Sequence, residues 1–578
     1  MSRKGAGTAR GARGADPPPP PETSAEGGQR RLRWILLGVV VTVSSVLVTG
    51  AFVPAPHTGG DNATYLSLAY SLAAEGSYTE LFDPARLPHT KYPPVFPGLL
   101  AALMLLGART WSAFKAVAVA STVGAAALTF LWAERRLGAV WGAGVALLFA
   151  ASSAVVYYSH WILSDASFLA FTLLALWALD RADDEGSGNG WLALGVASAA
   201  LAYFTRSAGL PLVVSLGGWL ALRRRWRALG ATAVALGVPM ALWMLRARGA
   251  GEGEYVAEFW LVNPYQPELG RVGVGGLVAR FLENLAAYVT AHIPGGVVGS
   301  GGGAVAALGV VLVAAAAVGW AVELRKRPGP AELLLPLYVG LILLWPAVWS
   351  GDRFALPLYP LLFLYAARAL RGGAGRLGRT AVSAAGAAAF LVVLVPALGA
   401  WTGAVREASA CGALVRRGGP FACYGPGVAA FVEAAGWAGA NLPEGSAVLT
   451  RKPSFFFVLS GVPSRTFPFS ADPAAHLRLA NRLGVRYELL DEWDALAGRY
   501  VAGAVSASPG SFCSVRGFGG EGRTHLLGVL PAESRGPAAA SADRGVRIVG
   551  CPAGYLVGDG SASSSLSSRI PLLDTMDP

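Results

Sequence analysis

The chain has 578 residues, of which 54% are hydrophobic and only 14% charged. Soluble globular proteins carry roughly 25% charged residues, so an ordinary soluble domain is excluded. The formal net charge of +12 sits largely in short basic clusters between apolar runs, which argues against a nucleic-acid-binding protein.

Residues 1–29 are rich in Gly, Ala, Ser and charge and include the run Pro17 to Pro21. Such a segment cannot bury apolar surface, and it reads as a disordered cytoplasmic N-terminus. The run Trp34 to Val53 is too long for a signal-peptide core and reads as a retained signal anchor. Further spans are expected near 112–133, 139–157, 166–180, 191–205, 208–222, 229–246, 303–322, 331–349, 354–370 and 379–400. That is an α-helical multi-pass membrane protein with about 11 transmembrane helices, each near the length needed to cross the hydrocarbon core. The segment 95–107 is too short to span and reads as an interfacial or re-entrant helix.

Threading the spans alternately from a cytoplasmic N-terminus places Arg135-Arg136, Asp180 to Glu185, Arg223 to Arg227, Arg325 to Arg327 and Arg371 to Arg379 inside. Outside lie the loop 54–111, the turn His160 to Asp165, Arg206, the long segment 247–300, Ser350 to Arg353 and everything after 401. One further helix would reverse the side of the tail. The membrane domain thus covers 30–400. A small extracytoplasmic α/β domain is expected over 401–530, with a helix over Val428 to Ala438 and strand-like runs at Ala447–Thr450, Phe455–Leu459 and Val485–Leu490. Residues 531–578 read as largely disordered, apart from a possible strand at Val546 to Val549. The cysteines Cys411, Cys423, Cys513 and Cys551 show no C-x-x-C spacing. In an extracytoplasmic tail they could pair as Cys411–Cys423 and Cys513–Cys551, or remain four thiols.

Candidate chemistry gathers in the outer segments. Asp61 opens a segment with helical spacing (Tyr65, Leu68, Ala69, Leu72), so it is either an N-cap or a general base. Lys91 precedes Tyr92-Pro93-Pro94, a stiff backbone that fixes its direction; it either binds a phosphate or snorkels to headgroups. Asp165 either caps the following helix or meets Asp61. Arg353, in Asp352-Arg353-Phe354, could fork two hydrogen bonds to phosphate. Arg206 stands in an outer turn against the positive-inside trend. There is no P-loop, no G-x-S-x-G and no H-E-x-x-H. His57, Asp61 and His89 share a loop, but their spacing is too loose to predict a metal site.

In this order, D-x-x-x-Y-x-x-x-A from Asp61, Lys91-Tyr92-Pro93-Pro94, Arg135-Arg136-Leu137-Gly138, Ser164-Asp165 and Asp352 to Pro360 resemble the C-type polyprenyl-phosphate-sugar glycosyltransferases. The likeness is to the family of protein O-mannosyltransferases and lipid A aminoarabinose transferases, and it covers roughly residues 34 to 370. It implies a C-type fold and an inverting transfer of a monosaccharide at the extracytoplasmic face of the cell (plasma or inner) membrane. Asp61 would be the base and Asp165 a supporting carboxylate. Lys91, Tyr92 and Arg353 would bind the donor, with Arg206 a further candidate. The implied partners are a polyprenyl-phosphate-linked sugar, a lipid, glycan or protein acceptor, and membrane lipids, with no nucleic acid, cofactor or metal. Two departures stand out: Asn62 replaces the Glu of many relatives, and Thr90 replaces the Glu that precedes the loop lysine in the aminoarabinose enzymes. The tail after 401 is expected to lie over the site and select the acceptor. The competing class is a multi-pass transporter or flippase of a lipid-linked substrate, which predicts charges deep within spans and inverted-repeat symmetry.

Overall fold

The structure is a computed structural model that describes residues 24–59, 61–184, 188–249, 254–299, 301–326, 328–372, 378–520, 524–530, 549–552 and 555. The expectations for 1–23, 531–548 and 556–578 lie outside the described residues. In chain order the membrane part begins with α1 (Ser24–Gly50), α2 (Asn62–Glu75), α3 (Val95–Leu105), α4 (Trp111–Leu137), α5 (Ala139–Ala151) and α6 (Ser153–Tyr158). It continues with α7 (Asp165–Ala182), α8 (Asn189–Thr205), α9 (Leu210–Leu222), α10 (Trp226–Gly249), α11 (Glu254–Trp260), α12 (Val274–Ala287) and α13 (Ile293–Val298). It ends with α14 (Gly303–Lys326), α15 (Pro330–Leu344), α16 (Asp352–Ala355), α17 (Leu358–Gly372) and α18 (Arg379–Gly418).

Helices occupy every expected span, with the 139–157 run broken at Ser152, the 331–349 run broken after Leu344 and the 354–370 run broken before Leu358. Five of them, within α1, α4, α10, α14 and α18, are long and apolar enough to cross a membrane. Buried faces of these and the shorter helices meet in one core around Phe130 and Trp132 of α4, Phe149 of α5, Trp219 of α9, and Tyr359 and Tyr365 of α17. Other faces carry exposed Val234, Val238 and Leu242 on α10, or Leu391, Val392 and Val395 on α18, as lipid-facing helices do. Small residues allow close helix crossings: a Cβ on Gly319 of α14 would lie 1.8 Å from the Tyr365 carbonyl of α17.

Two expectations for the membrane part need correction. Residues 24–29, expected to be unstructured, belong to α1, because adding a residue to a formed helix costs far less than nucleating one. The last span does not stop near 400: α18 runs on to Gly418, and Trp401 Nε1 donates to Leu47 O of α1 at 2.8 Å. The 247–300 segment, for which no element was expected, carries α11, α12 and α13. Helix α12 is polarised outside-in, with Val274, Val278 and Leu282 exposed while Arg280 and Asn284 are buried against backbone carbonyls.

The C-terminal part comprises α19 (Pro426–Asn441), β1 (Val448–Leu449), α20 (Pro453–Ser460), β2 (Ser464–Arg465), α21 (Pro473–Leu483), β3 (Tyr487–Leu490), α22 (Ala495–Ala507), β4 (Phe512–Phe518) and β5 (Thr524–Val529). The sheet order is β2-β1-β3-β5-β4, with β1 parallel to β2 and β3, and β5 antiparallel to β3 and β4. Successive strand residues point to opposite faces. Leu526 accordingly packs with α19 and α20, and Leu527 with α21 and α22. The Phe455–Leu459 run is helical rather than a strand: Pro453 starts a helix, and a short apolar run carries no period that separates the two states. Both disulfides, Cys411–Cys423 and Cys513–Cys551, are formed. The first ties the end of α18 to the turn that enters this domain. Val549, at the edge of an expected strand, accepts a hydrogen bond from Ser514 N of β4 at 2.8 Å.

Candidate active site

The site begins where the chain leaves α1. Lys115 of α4, fully buried, donates to Val53 O at 2.7 Å and Ala55 O at 2.5 Å and so fixes the exit strand. Asn62 then holds the turn: its Nδ2 donates to Gly59 O at 2.6 Å, and its Oδ1 accepts from Ile162 N at 2.7 Å. Asp61 precedes α2 in the N-cap position, yet its side chain makes no capping hydrogen bond. The carboxylate turns instead into a cleft of about 610 Å³, with Oδ2 3.8 Å from Arg353 Nη2. That volume is within the usual range for a small-molecule site.

Asp165 opens α7 just beneath the cleft. Its Oδ2 accepts from Arg206 Nη1 at 2.8 Å and from Arg353 Nη2 and Nε at 2.9 and 3.1 Å. One buried carboxylate thereby holds two guanidiniums side by side. A guanidinium carries five N–H groups, so each can serve more than one acceptor. Arg206 Nη1 also donates to Ser164 Oγ at 3.2 Å, and Ser164 Oγ shares a 2.8 Å hydrogen bond with Tyr65 OH of α2. The helix face read from Tyr65, Leu68 and Ala69 is indeed buried, and its tyrosine joins the two aspartate-bearing elements.

Lys91 arrives on a hairpin-like loop. Glu80 N donates to Leu87 O at 2.8 Å, and His89 N to Tyr78 O at 3.1 Å. Arg246 at the end of α10 donates to the carbonyls of Tyr78 and His89, and Tyr78 OH donates to Tyr92 O at 2.8 Å. His89 completes the frame. Its Nε2 accepts from Tyr92 N at 2.8 Å, so the ring proton sits on Nδ1 and is donated to Glu80 Oε1 at 2.8 Å. Lys91 Nζ then reaches across the cleft to Glu258 Oε1 of α11 at 2.8 Å.

Asp61, Lys91, Tyr92, Arg206 and Arg353 all line the one cleft, and Asp165 anchors two of them from below. Several further lining groups had no sequence signal. Glu258 lies in a segment without a span pattern. Tyr158 OH donates to Asp352 Oδ1 at 3.1 Å. Trp345, Trp349 and Tyr265 form an aromatic wall, with ring centroids 6.0 and 5.9 Å apart. Among the described residues no group of three or more His, Cys, Asp or Glu could hold a metal ion. Both nitrogens of His89 are engaged. The His57 ring packs 4.2 Å from Trp161, where burial, with Lys115 and His160 nearby, holds the imidazole neutral and well below its usual range.

The C-terminal domain sits at this same end. Thr64 Oγ1 of α2 donates to Ser454 Oγ of α20 at 2.9 Å, and Arg465 lies 3.5 Å from Asp83. Arg499 pairs with Glu268 at 2.8 Å, while Tyr500 OH donates to Tyr265 O at 2.7 Å.

The model of one protein family, described as dolichyl-phosphate-mannose-protein mannosyltransferase, matches residues 91–246. The match starts at Lys91 and includes Asp165 and Arg206. No curated protein matches the chain by sequence. Among solved structures, ArnT from Cupriavidus metallidurans in the apo state superposes with a TM-score of 0.53 at 15% identity, covering 89% of this chain and 100% of ArnT. ArnT bound to undecaprenyl phosphate gives 0.52 at 15% identity, covering 87% and 99%. The oligosaccharyltransferase AglB from Archaeoglobus fulgidus, in complex with an inhibitory peptide and a dolichol-phosphate, gives 0.55 at 14% identity, covering 88% of this chain and 75% of AglB. The fold is that of the C-type glycosyltransferases. The cleft is lined by residues between Asp61 and Phe354, and Asp61 stands on the first segment after the first membrane helix.

Proposed function

We propose that the protein is an inverting glycosyltransferase that moves a monosaccharide from a polyprenyl-phosphate donor to an acceptor hydroxyl. The observation that carries this reading is the carboxylate of Asp61, which is free of capping duty and faces a cleft lined by Lys91, Arg206 and Arg353. The acceptor oxygen attacks the anomeric carbon and its proton passes to Asp61. The bond from that carbon to the phosphate oxygen breaks, and its electron pair leaves with the polyprenyl phosphate. Fixed positive charge aimed at the leaving phosphate stabilises the transition state without reorganisation. Arg206 and Arg353 supply it from a position set by Asp165, and Lys91 supplies it from the loop framed by His89. The reaction occurs at the extracytoplasmic face, with the C-terminal domain screening the acceptor. The basic ends Arg136 and Arg223 meet Asp180 and Asp183 at the far end of the bundle from the cleft, which supports that orientation.

The test is sugar transfer from radiolabelled polyprenyl-phosphate hexoses in membranes expressing wild type or Asp61→Asn. Release of polyprenyl phosphate by wild type alone supports the reading. Undiminished release by the variant removes Asp61 as the base, and no release with any donor favours the transporter class.

A further inference from the structure

Among the described residues, each cation that lines the cleft has a carboxylate. Arg206 and Arg353 share Asp165, and Lys91 pairs with Glu258. Resting on the donor reading above, an incoming lipid phosphate must either share these cations or displace one of the carboxylates. The two carboxylates are not equivalent. Asp165 begins a packed helix, its side chain is 7% exposed, and it receives three N–H bonds, so releasing it would strand a buried charge. The Glu258 side chain is 21% exposed, three times as exposed as that of Asp165, and its Oε1 lies 2.8 Å from the ammonium. Helix α11 is pinned at its C-terminal end, where Arg280 donates to the carbonyls of Phe259 and Leu261 at 2.8 and 2.6 Å. Rotation about the Glu258 side-chain torsions therefore releases Lys91 without moving the helix.

We infer that Glu258 is a built-in competitor of the lipid phosphate for Lys91. It holds the lysine in position while the cleft is empty, swings away when the donor phosphate arrives, and returns to help expel the product. The product is a monoester that carries more negative charge than the diester donor, so Lys91 holds it more tightly, and a returning carboxylate speeds its exit.

The test is binding of undecaprenyl phosphate to the full-length protein in nanodiscs, comparing wild type, Glu258→Gln, Lys91→Met and the double variant. Removing a competing charge at hydrogen-bond distance should tighten binding by about tenfold in Glu258→Gln. Lys91→Met should weaken binding, and the double variant should bind like Lys91→Met alone, because the gain passes through the lysine. Turnover of Glu258→Gln should show stronger inhibition by added undecaprenyl phosphate. Glu258→Asp, which keeps the charge, should retain wild-type affinity and reports on folding. Unchanged or weaker binding by Glu258→Gln, with wild-type binding still lost in Lys91→Met, overturns the competitor role and leaves the donor reading intact. Absence of saturable binding in wild type and Glu258→Gln alike overturns both.

Discussion

Helix α7 carries an ionic cluster at each end, and the two are built from the same materials to different degrees of completion. At its C-terminal end Arg136 forks onto Asp180 with bonds of 2.7 and 2.8 Å and extends its third nitrogen to Glu332 at 2.5 Å. Trp132 Nε1 adds a bond to Asp180 at 2.9 Å, and Tyr365 OH and Gly329 N add bonds of 2.8 Å to the two oxygens of Glu332. Each of those carboxylate oxygens has a donor, and none of these residues lines the cleft. Roughly 22 Å away along the helix, at 1.5 Å per residue, the other cluster is unfinished. Asp165 Oδ2 takes three N–H bonds there, but Asp61 stays 3.8 Å from Arg353 Nη2 and opens onto a cleft. A closed cluster locks helices together; an open one has capacity left for a substrate.

Substitutions at the two ends should therefore separate activity from stability. The largest effect is expected for Asp61→Asn, which should lower transfer by about 10²–10⁴-fold, the usual contribution of a positioned base, with thermal unfolding unchanged. Next is Arg136→Met, which leaves the buried Glu332 and the half-buried Asp180 without their cation. Breaking such a pair costs on the order of 3–5 kcal/mol, so the yield and melting temperature should drop while the surviving folded fraction transfers normally. A smaller and selective effect is expected for His89→Ala. Without the imidazole acceptor for Tyr92 N, Lys91 is less well aimed, and the donor KM should rise roughly tenfold (1.4 kcal/mol) with little change in kcat. A fall in kcat with the donor KM unchanged would place His89 elsewhere in the mechanism.

The smallest effect lies in the C-terminal domain, away from both clusters. Burial, opposed by the Trp493 N–H, pushes the Asp491 carboxyl up from 3.8 to about 7. The folded protein then keeps a proton that the unfolded chain has lost, so stability falls as pH rises between those two values. Asp491→Asn should raise the melting temperature at pH 8, and the gain should vanish towards pH 4. A gain independent of pH would mean that the carboxyl is not the source.

The spans were legible because an apolar run of membrane length has few alternatives, and the charged residues between them were conspicuous against so little charge. Asp61, Lys91, Arg206 and Arg353 stood out for that reason, although only the fold shows that Arg206 and Arg353 converge on Asp165 from 41 and 188 residues away. Glu258 was invisible because its importance comes from a partner 167 residues distant rather than from any local pattern. Phe455–Leu459 was misread as a strand because all of its side chains but Leu459 are buried, leaving no amphipathic period to reveal a helix. The overrun of α18 to Gly418 was hidden by its loss of apolar character after Trp401, where contacts with α1 and the Cys411–Cys423 bridge take over.

The central claim is that Asp61 acts on the acceptor while the cations hold the donor, and it is tested most directly by measuring both in one variant. Purified Asp61→Asn should bind undecaprenyl phosphate as tightly as wild type and transfer sugar from a polyprenyl-phosphate donor about 10²–10⁴-fold more slowly. Transfer at the wild-type rate, or loss of binding in parallel with transfer, would contradict the account.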